Sequence, residues 1–140
     1  MVFFDDLSLE GTHGHEDIGA YADASAKTVI IDTNTGERVP HWVEVDNAAT
    51  TDAQRVLILR PAQVLRYNTR YVVGFRGLET KSGGPVAVSD AFTALRDGQY
   101  TENWDIEGRR DRFEDVVFPA LEAQGFARSE LQLAWDFHTA

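Results

Sequence analysis

Cysteine is missing from this chain, and with it go disulfides, thiolate nucleophiles and zinc sites built on cysteine sulfur. No apolar run reaches the about 18 residues that a membrane-spanning helix needs. Cations are scarce: 13 Lys and Arg stand against 23 Asp and Glu, a net charge of −10. Phosphate backbones are bound by surplus Lys and Arg, so nucleic acid is not an expected partner, and anionic membrane surfaces are disfavoured on the same ground. Met1 to Leu9 carries Asp5 and Asp6 and no basic stretch, so it does not read as a signal peptide, and an export signal is expected to lie outside this chain. There is no Gly-x-Ser-x-Gly elbow, no Gly-x-Gly-x-x-Gly loop and no P-loop lysine. Ser8, Ser25, Ser82, Ser89 and Ser129 all sit in turn or cap contexts, and 23 acids guarantee chance carboxylate pairs. The expectation is a chain that is not an enzyme in its own right.

What is present is enough for one domain. A chain of 140 residues can bury about two-thirds of its unfolded surface, and 43% hydrophobic with 26% charged residues is ordinary globular composition. Val2-Phe3-Phe4 opens as an apolar burst. Thr28-Val29-Ile30-Ile31-Asp32 is a β-branched strand followed by a turn through Asn34 and Gly36, which predicts a hairpin with Arg38 to Asp46 as its return strand. Val39, His41, Val43 and Val45 alternate onto one face of that strand, opposite Trp42 and Glu44. Pro40 has no amide to give to a ladder and marks an edge or a bulge. Residues 47–54 read as a polar loop, Arg55 to Arg60 as a strand, Tyr71 to Phe75 as another, and Val86 to Val88 as a short one.

The period then changes. Ser89 to Leu95 suits a short capped helix. From Asp105 to Gln124, Phe113, Val116, Val117, Ala120, Leu121 and Gln124 share one helical face, with Gly125 placed as a C-terminal cap. Pro119 predicts a kink or a break there. Leu131, Leu133, Trp135 and Phe137 alternate strictly with polar or small residues and give a final strand. The pattern predicts a mainly β antiparallel sandwich of about seven strands over 1–140, with a helical insertion at about 89–128 before the last strand. Its expected core includes Phe3, Val29, Ile31, Val43, Val45, Leu57, Leu59, Val73, Phe75, Leu133, Trp135 and Phe137.

Val29-Ile30-Ile31-Asp32 through Gly36-Glu37-Arg38-Val39, Tyr67 through Tyr71-Val72-Val73-Gly74-Phe75 with the Gly83-Gly84-Pro85 turn, and Trp135-Asp136-Phe137-His138-Thr139 carry a resemblance. Together they resemble the bacterial Ig-like domains of surface-layer and other exported proteins. The helical insertion is a departure, similar to Ig-like regions that precede a hydrolase domain. The resemblance implies an Ig-like sandwich, a secreted, periplasmic or cell-surface setting, and a spacer, adhesion or docking role beside a neighbouring domain or partner protein. It implies no catalytic residues and no cofactor.

His13-Gly14-His15-Glu16-Asp17 is the most suggestive constellation. His13, His15 and Asp17 could ligate a divalent metal, with Asp5, Asp6, His41 or His138 completing the set; the plainer reading is a polar loop whose imidazoles face water. Acids at 5, 6, 10, 16 and 17, or Asp32, Asn34 and Glu37, could hold Ca²⁺, but such residues more often bond their own turn backbone. Trp42, Trp104 and Trp135 could stack on a glycan; packing is the stronger expectation, with Trp104 stapling the helix to the sandwich. Arg109-Arg110-Asp111-Arg112 with Glu114-Asp115 reads as a solvated helix face with local ion pairs.

Overall fold

Strand β4 (Arg70–Arg76) fixes the layering, because its Tyr71-Val72-Val73-Gly74-Phe75 run is buried on both faces. A strand with two dry faces must be sandwiched. The computed structural model describes residues 1–51 and 55–140, so residues 52–54 of the expected polar loop lie outside the described residues. Its strands are β1 (Thr28–Asp32), β2 (His41–Val45), β3 (Leu57–Pro61), β4 and β5 (Leu131–His138). They form two antiparallel sheets, β1-β4-β5 and β2-β3. The helices are α1 (Asp90–Arg96), α2 (Trp104–Arg112) and α3 (Phe118–Ala123). The chain is therefore a mixed α/β domain, with five strands among the described residues in place of about seven.

One face of the central sheet gives Ile30, Tyr71, Val73 and Phe75 to a core shared with Phe4, Leu7, Val39, Val43, Leu57, Leu78 and Val86. The other gives Val29, Ile31, Val72 and Ala134 to the helical residues Phe92, Leu95, Phe113, Val117, Phe118 and Leu121. Fully burying a side chain of this size contributes roughly 1.5–3 kcal/mol, so both faces matter to stability.

Three expectations need correction. The turn after β1 forms, with Asp32 Oδ1 accepting from the amides of Asn34 and Thr35 at 2.9 and 3.3 Å and Gly36 at φ 73°. The hairpin is cut short: the Asp32 amide donates to the Glu37 carbonyl at 3.0 Å and the Val39 amide to that of Ile30 at 2.8 Å, and the pairing goes no further. β1 pairs along its length with β4, and only an isolated bridge joins Ile31 to Arg38. The chain crosses to the second sheet at Pro40, whose carbonyl accepts from the Ala62 amide at 2.7 Å, and β2 begins one residue later. The opening burst makes a single bridge between Val2 and Leu57, and Phe4 is buried while Phe3 is 47% exposed. Val86 is buried but is not part of a strand; the turn there is closed by a bridge from Glu79 to Pro85.

The final strand carries a bulge. Phe75 pairs with Leu133 and Arg76 with Leu131, so Gln132 is the extra residue. The bulge turns Leu131 to the helical core, while Leu133, Trp135 and Phe137 contact the other one. The freed Gln132 side chain closes a pair of bonds with Leu78, donating to its carbonyl at 2.9 Å and accepting from its amide at 2.7 Å.

The long helix survives Pro119 by changing its pitch. Residues Phe113–Val117 form a π-helical turn, and the amide of Phe118 reaches back five residues to the Phe113 carbonyl. The wider turn absorbs the site where the proline withholds an amide, in place of a break. Ser89 caps α1 through the Phe92 amide at 3.2 Å, and Asn103 caps α2 through Asp105 at 2.9 Å. Gly125, at φ 79°, ends α3 in a Schellman motif: Phe126 N–H donates to Leu121 and Gly125 N–H to Glu122, each at 3.0 Å.

Gly74 is where the helix comes closest to the sheet, since a Cβ there would run into the Leu121 side chain. Gly74→Ala should destabilise by roughly 1–3 kcal/mol through overpacking, and Leu121→Ala by roughly 2–5 kcal/mol through the cavity it leaves. In urea unfolding the double variant should lose less than the sum, because shortening Leu121 makes room for the new methyl. Strict additivity would mean that the two positions do not meet.

Candidate functional site

The His-acidic loop folds against β2. Its backbone is tied there by the Val43 amide, which donates to the His13 carbonyl at 3.0 Å. His13 is 4% exposed, and its ring stands edge-on to that of His41 with centroids 4.7 Å apart at 70°. His41 is fully buried. Its Nδ1 lies 2.8 Å from the Val39 carbonyl, which can only accept, so Nδ1 carries the hydrogen. Nε2 is then left to accept from the Thr28 hydroxyl at 2.9 Å. Tyr21, from the 3₁₀ stretch His15–Ala22, sets its ring 6.4 Å from His41.

The structure divides the expected metal set. His13 points inward, while the His15 side chain is 73% exposed, 3.8 Å from Glu16, and Asp17 also faces solvent. Among the described residues, no group of three or more His, Asp or Glu is placed to hold an ion. Asp6 instead accepts from the Ser82 hydroxyl and amide, and Asp32 serves its own turn and an arginine. His138 ends β5 at the surface.

Two arginines clasp the end of α3. Arg38 donates to the carbonyls of Tyr21, Asp23 and Gln124 and to Gln124 Oε1, at 2.7–3.1 Å. Arg76 donates to Ala24, to Ala26 at 3.2 Å and to Gly125 at 2.7 Å. Both guanidinium groups lie against the buried Phe126 ring, 5.5 and 3.9 Å from its centroid. Cations at a helix C-terminus meet the negative end of its dipole, and an aromatic face adds a further attraction. Burial draws the Arg38 pKa down, with Arg76 adding to it. An open cleft of about 720 Å³ lies beside this clasp, with Tyr21, Arg38, Gln63 and Gln124 in its walls.

A different surface is built for contact. The β3–β4 connection, residues 62–69, exposes Val64 by 91% and Tyr67 by 86%. Its backbone is tied at Arg66, Tyr67, Asn68 and Thr69. Arg66 places a fork on Asp32, Nε to Oδ2 at 2.9 Å and Nη2 to Oδ1 at 2.7 Å. The Arg66 amide donates to the buried Tyr71 hydroxyl at 2.8 Å, and its carbonyl accepts from Thr139 Oγ1 at 2.6 Å. The Asn68 amide donates to the Ala140 carbonyl at 3.2 Å, with Asn68 itself at φ 47°. Burial pushes the Asp32 carboxyl up, but Arg66 and the turn amides outweigh that and hold it below the usual carboxylate range.

Comparison with protein-family models, with curated proteins and with solved structures gives no match. The site therefore stands on its own geometry. Trp104, expected to staple the helix, is 79% exposed, and Trp42 is half-buried on the outer face of β2. Arg38, Arg66, Val64 and Tyr67 escaped the sequence reading. The partners of Arg38 and Arg66 lie up to 86 residues away, so no local spacing announces them.

The histidine pair sets a pH dependence. Burial draws both pKa values down, that of His41 to about 4. The unfolded chain, with ordinary imidazoles near about 6.5, then binds more protons than the native state between these limits. Stability should be full above the unfolded value and should fall as pH drops toward about 4. His41 alone should contribute a loss of about 3 kcal/mol across that window. An NMR titration of the His41 ring protons checks this directly: a midpoint near the ordinary imidazole value would show a ring reached by solvent.

Proposed function

We propose that this chain is a non-catalytic interaction module of the Ig-like kind, docking a neighbouring domain or a partner protein through the 62–69 loop. The observation that carries the reading is a rigid loop with outward apolar side chains. Val64 and Tyr67 are almost wholly exposed, while Arg66 between them is fixed by Asp32 through its side chain and by Tyr71 and Thr139 through its backbone, and Asn68 beside them by Ala140. A surface already ordered before contact loses little conformational freedom on binding, and tyrosine is enriched among the residues that dominate interfaces.

Strand order supports the Ig-like part of the proposal. In that sandwich one sheet holds strands C, F and G and the other holds B, E and D. Here β1-β4-β5 occupy the first set in chain order, β3-β2 match E and D, and the Val2 bridge to β3 falls in the place of B. The Tyr71 hydroxyl bonds back to the Arg66 amide at the corner entering β4, as the tyrosine corner does at strand F. The helices then form an insertion between F and G. An exported parent protein, with a hydrolase as one possible neighbour, belongs to the same proposal and draws on the resemblance described above.

The test places a photo-reactive benzoylphenylalanine at position 67 of the full-length protein in its own cells, with position 122, an exposed site on α3, as control. A defined adduct, between chains or to another domain of the same chain, is expected at 67 and not at 122, and Arg66→Ala should weaken it by loosening the loop. Identical patterns at both positions would overturn the reading. Val64→Ser and Tyr67→Ser should change the unfolding free energy by less than about 0.5 kcal/mol, the usual range for surface positions, so loss of the adduct would not reflect loss of the fold.

A further inference from the structure

A groove of about 350 Å³ runs between α1, α2 and β5. Its floor is apolar, built from Phe92, Leu95, Phe113 and Leu133, with Ile106 as a wall. The volume lies in the range of small-ligand sites. The α2 side of the groove stays partly open: that helix carries no buried residue, although it contributes Ile106. Trp135 on β5 borders the groove.

Arg109 stands on the rim. Among the described residues it is the one Arg or Lys side chain with no hydrogen bond and no ion pair. Its neighbours show how unusual this is in an acidic protein. Arg110 forks onto Glu107 at 2.7–2.8 Å, Arg112 lies 3.8 Å from Asp136, and Arg128 pairs with Glu114 at 2.6 Å. With 23 acids in the chain, a cation left unmatched beside an apolar groove is a complement awaiting a charge.

Asp105 shares the rim one helical turn earlier, with no cation within ion-pair distance among the described residues. It bears on the ligand in a definite way. A dianion such as a phosphate monoester brings a second charge for which the lining offers no second cation, and that charge would have to be desolvated beside an apolar floor. A single negative charge on an apolar body suits both walls. We infer that this groove is a binding site for a small amphipathic monocarboxylate, its aliphatic or aromatic body against Phe92, Leu95, Ile106 and Phe113 and its carboxylate on the Arg109 guanidinium. The site is separate from the docking loop and does not depend on it.

The probes are octanoate and 4-phenylbutyrate, titrated against the full chain and followed by tryptophan fluorescence and calorimetry. The comparison ligands are 4-phenylbutyramide, phenylbutyl phosphate and the free tripeptide Ala-Ala-Phe. One saturable site is expected for both carboxylates, with the amide weaker by about tenfold, the scale of one charge-assisted hydrogen bond, and the phosphate weaker as well. Arg109→Gln should bring acid and amide to the same affinity. Ala91→Trp, at an exposed position lining the groove, should abolish binding of both, and circular dichroism on each variant establishes that it folds. No saturable binding, equal binding of acid and amide by the unaltered chain, or no effect of Arg109→Gln would overturn the inference. Binding of Ala-Ala-Phe without binding of 4-phenylbutyrate would also overturn it, in favour of a polypeptide terminus as the occupant.

Discussion

Everything in this molecule follows from the central sheet having no wet face. β4 is covered by the β2-β3 sheet on one side and by the helices on the other, and β1 is buried at each of its five positions. Such strands cannot alternate in polarity, and they do not: Val29-Ile30-Ile31 and Tyr71 to Phe75 are continuous apolar runs. The requirement extends to side-chain size. Helix and sheet approach closely enough that position 74 has no room for a Cβ.

Hydrophobic contact alone does not fix how the helical layer is oriented. That falls to polar groups at its ends. Arg38 and Arg76 reach from the sheet and its flanking loops to the last carbonyls of α3, and Phe126 lies against both. Arg128 ties the chain just after α3 to the end of α1 through the Leu95 and Arg96 carbonyls. These bonds satisfy carbonyls that a helix C-terminus leaves open, and they do so with charged donors, whose hydrogen bonds are the stronger kind. The resulting directionality is what a layer of interchangeable apolar side chains lacks.

The parts of the fold that were readable in sequence are those whose signal is local. Ser89, Gly125 and the apolar stripe Phe113, Val117 and Leu121 announce helices by spacing, and β1, β4 and β5 announce themselves by β-branched and alternating residues. The errors came where distance decides. A turn with Asp32, Asn34 and Gly36 predicts a hairpin with a long return strand, yet that pairing stops at Val39 and β1 finds its full-length partner about 40 residues later in β4. A bulge at Gln132 reverses Leu131 in an otherwise strict alternation. His13 looked solvent-facing because nothing near it in sequence is apolar; its cover is His41, across the layer. Arg109 was read as part of a paired charge cluster, and only the geometry of α2 separates it from Arg110, which does find its acid.

The change of sheet at Pro40 has a consequence for how the chain is made. Because pairing between β1 and the segment after it ends at Val39, the central sheet has to wait for β4 and then for β5, which spans Leu131–His138. Folding dominated by such distant pairings is slow, since loop-closure entropy is lost before contacts form. During synthesis the apolar run of β1 therefore emerges long before its cover does. Until then residues 28–32 present an uncovered apolar strand, the kind of surface through which partly folded chains aggregate.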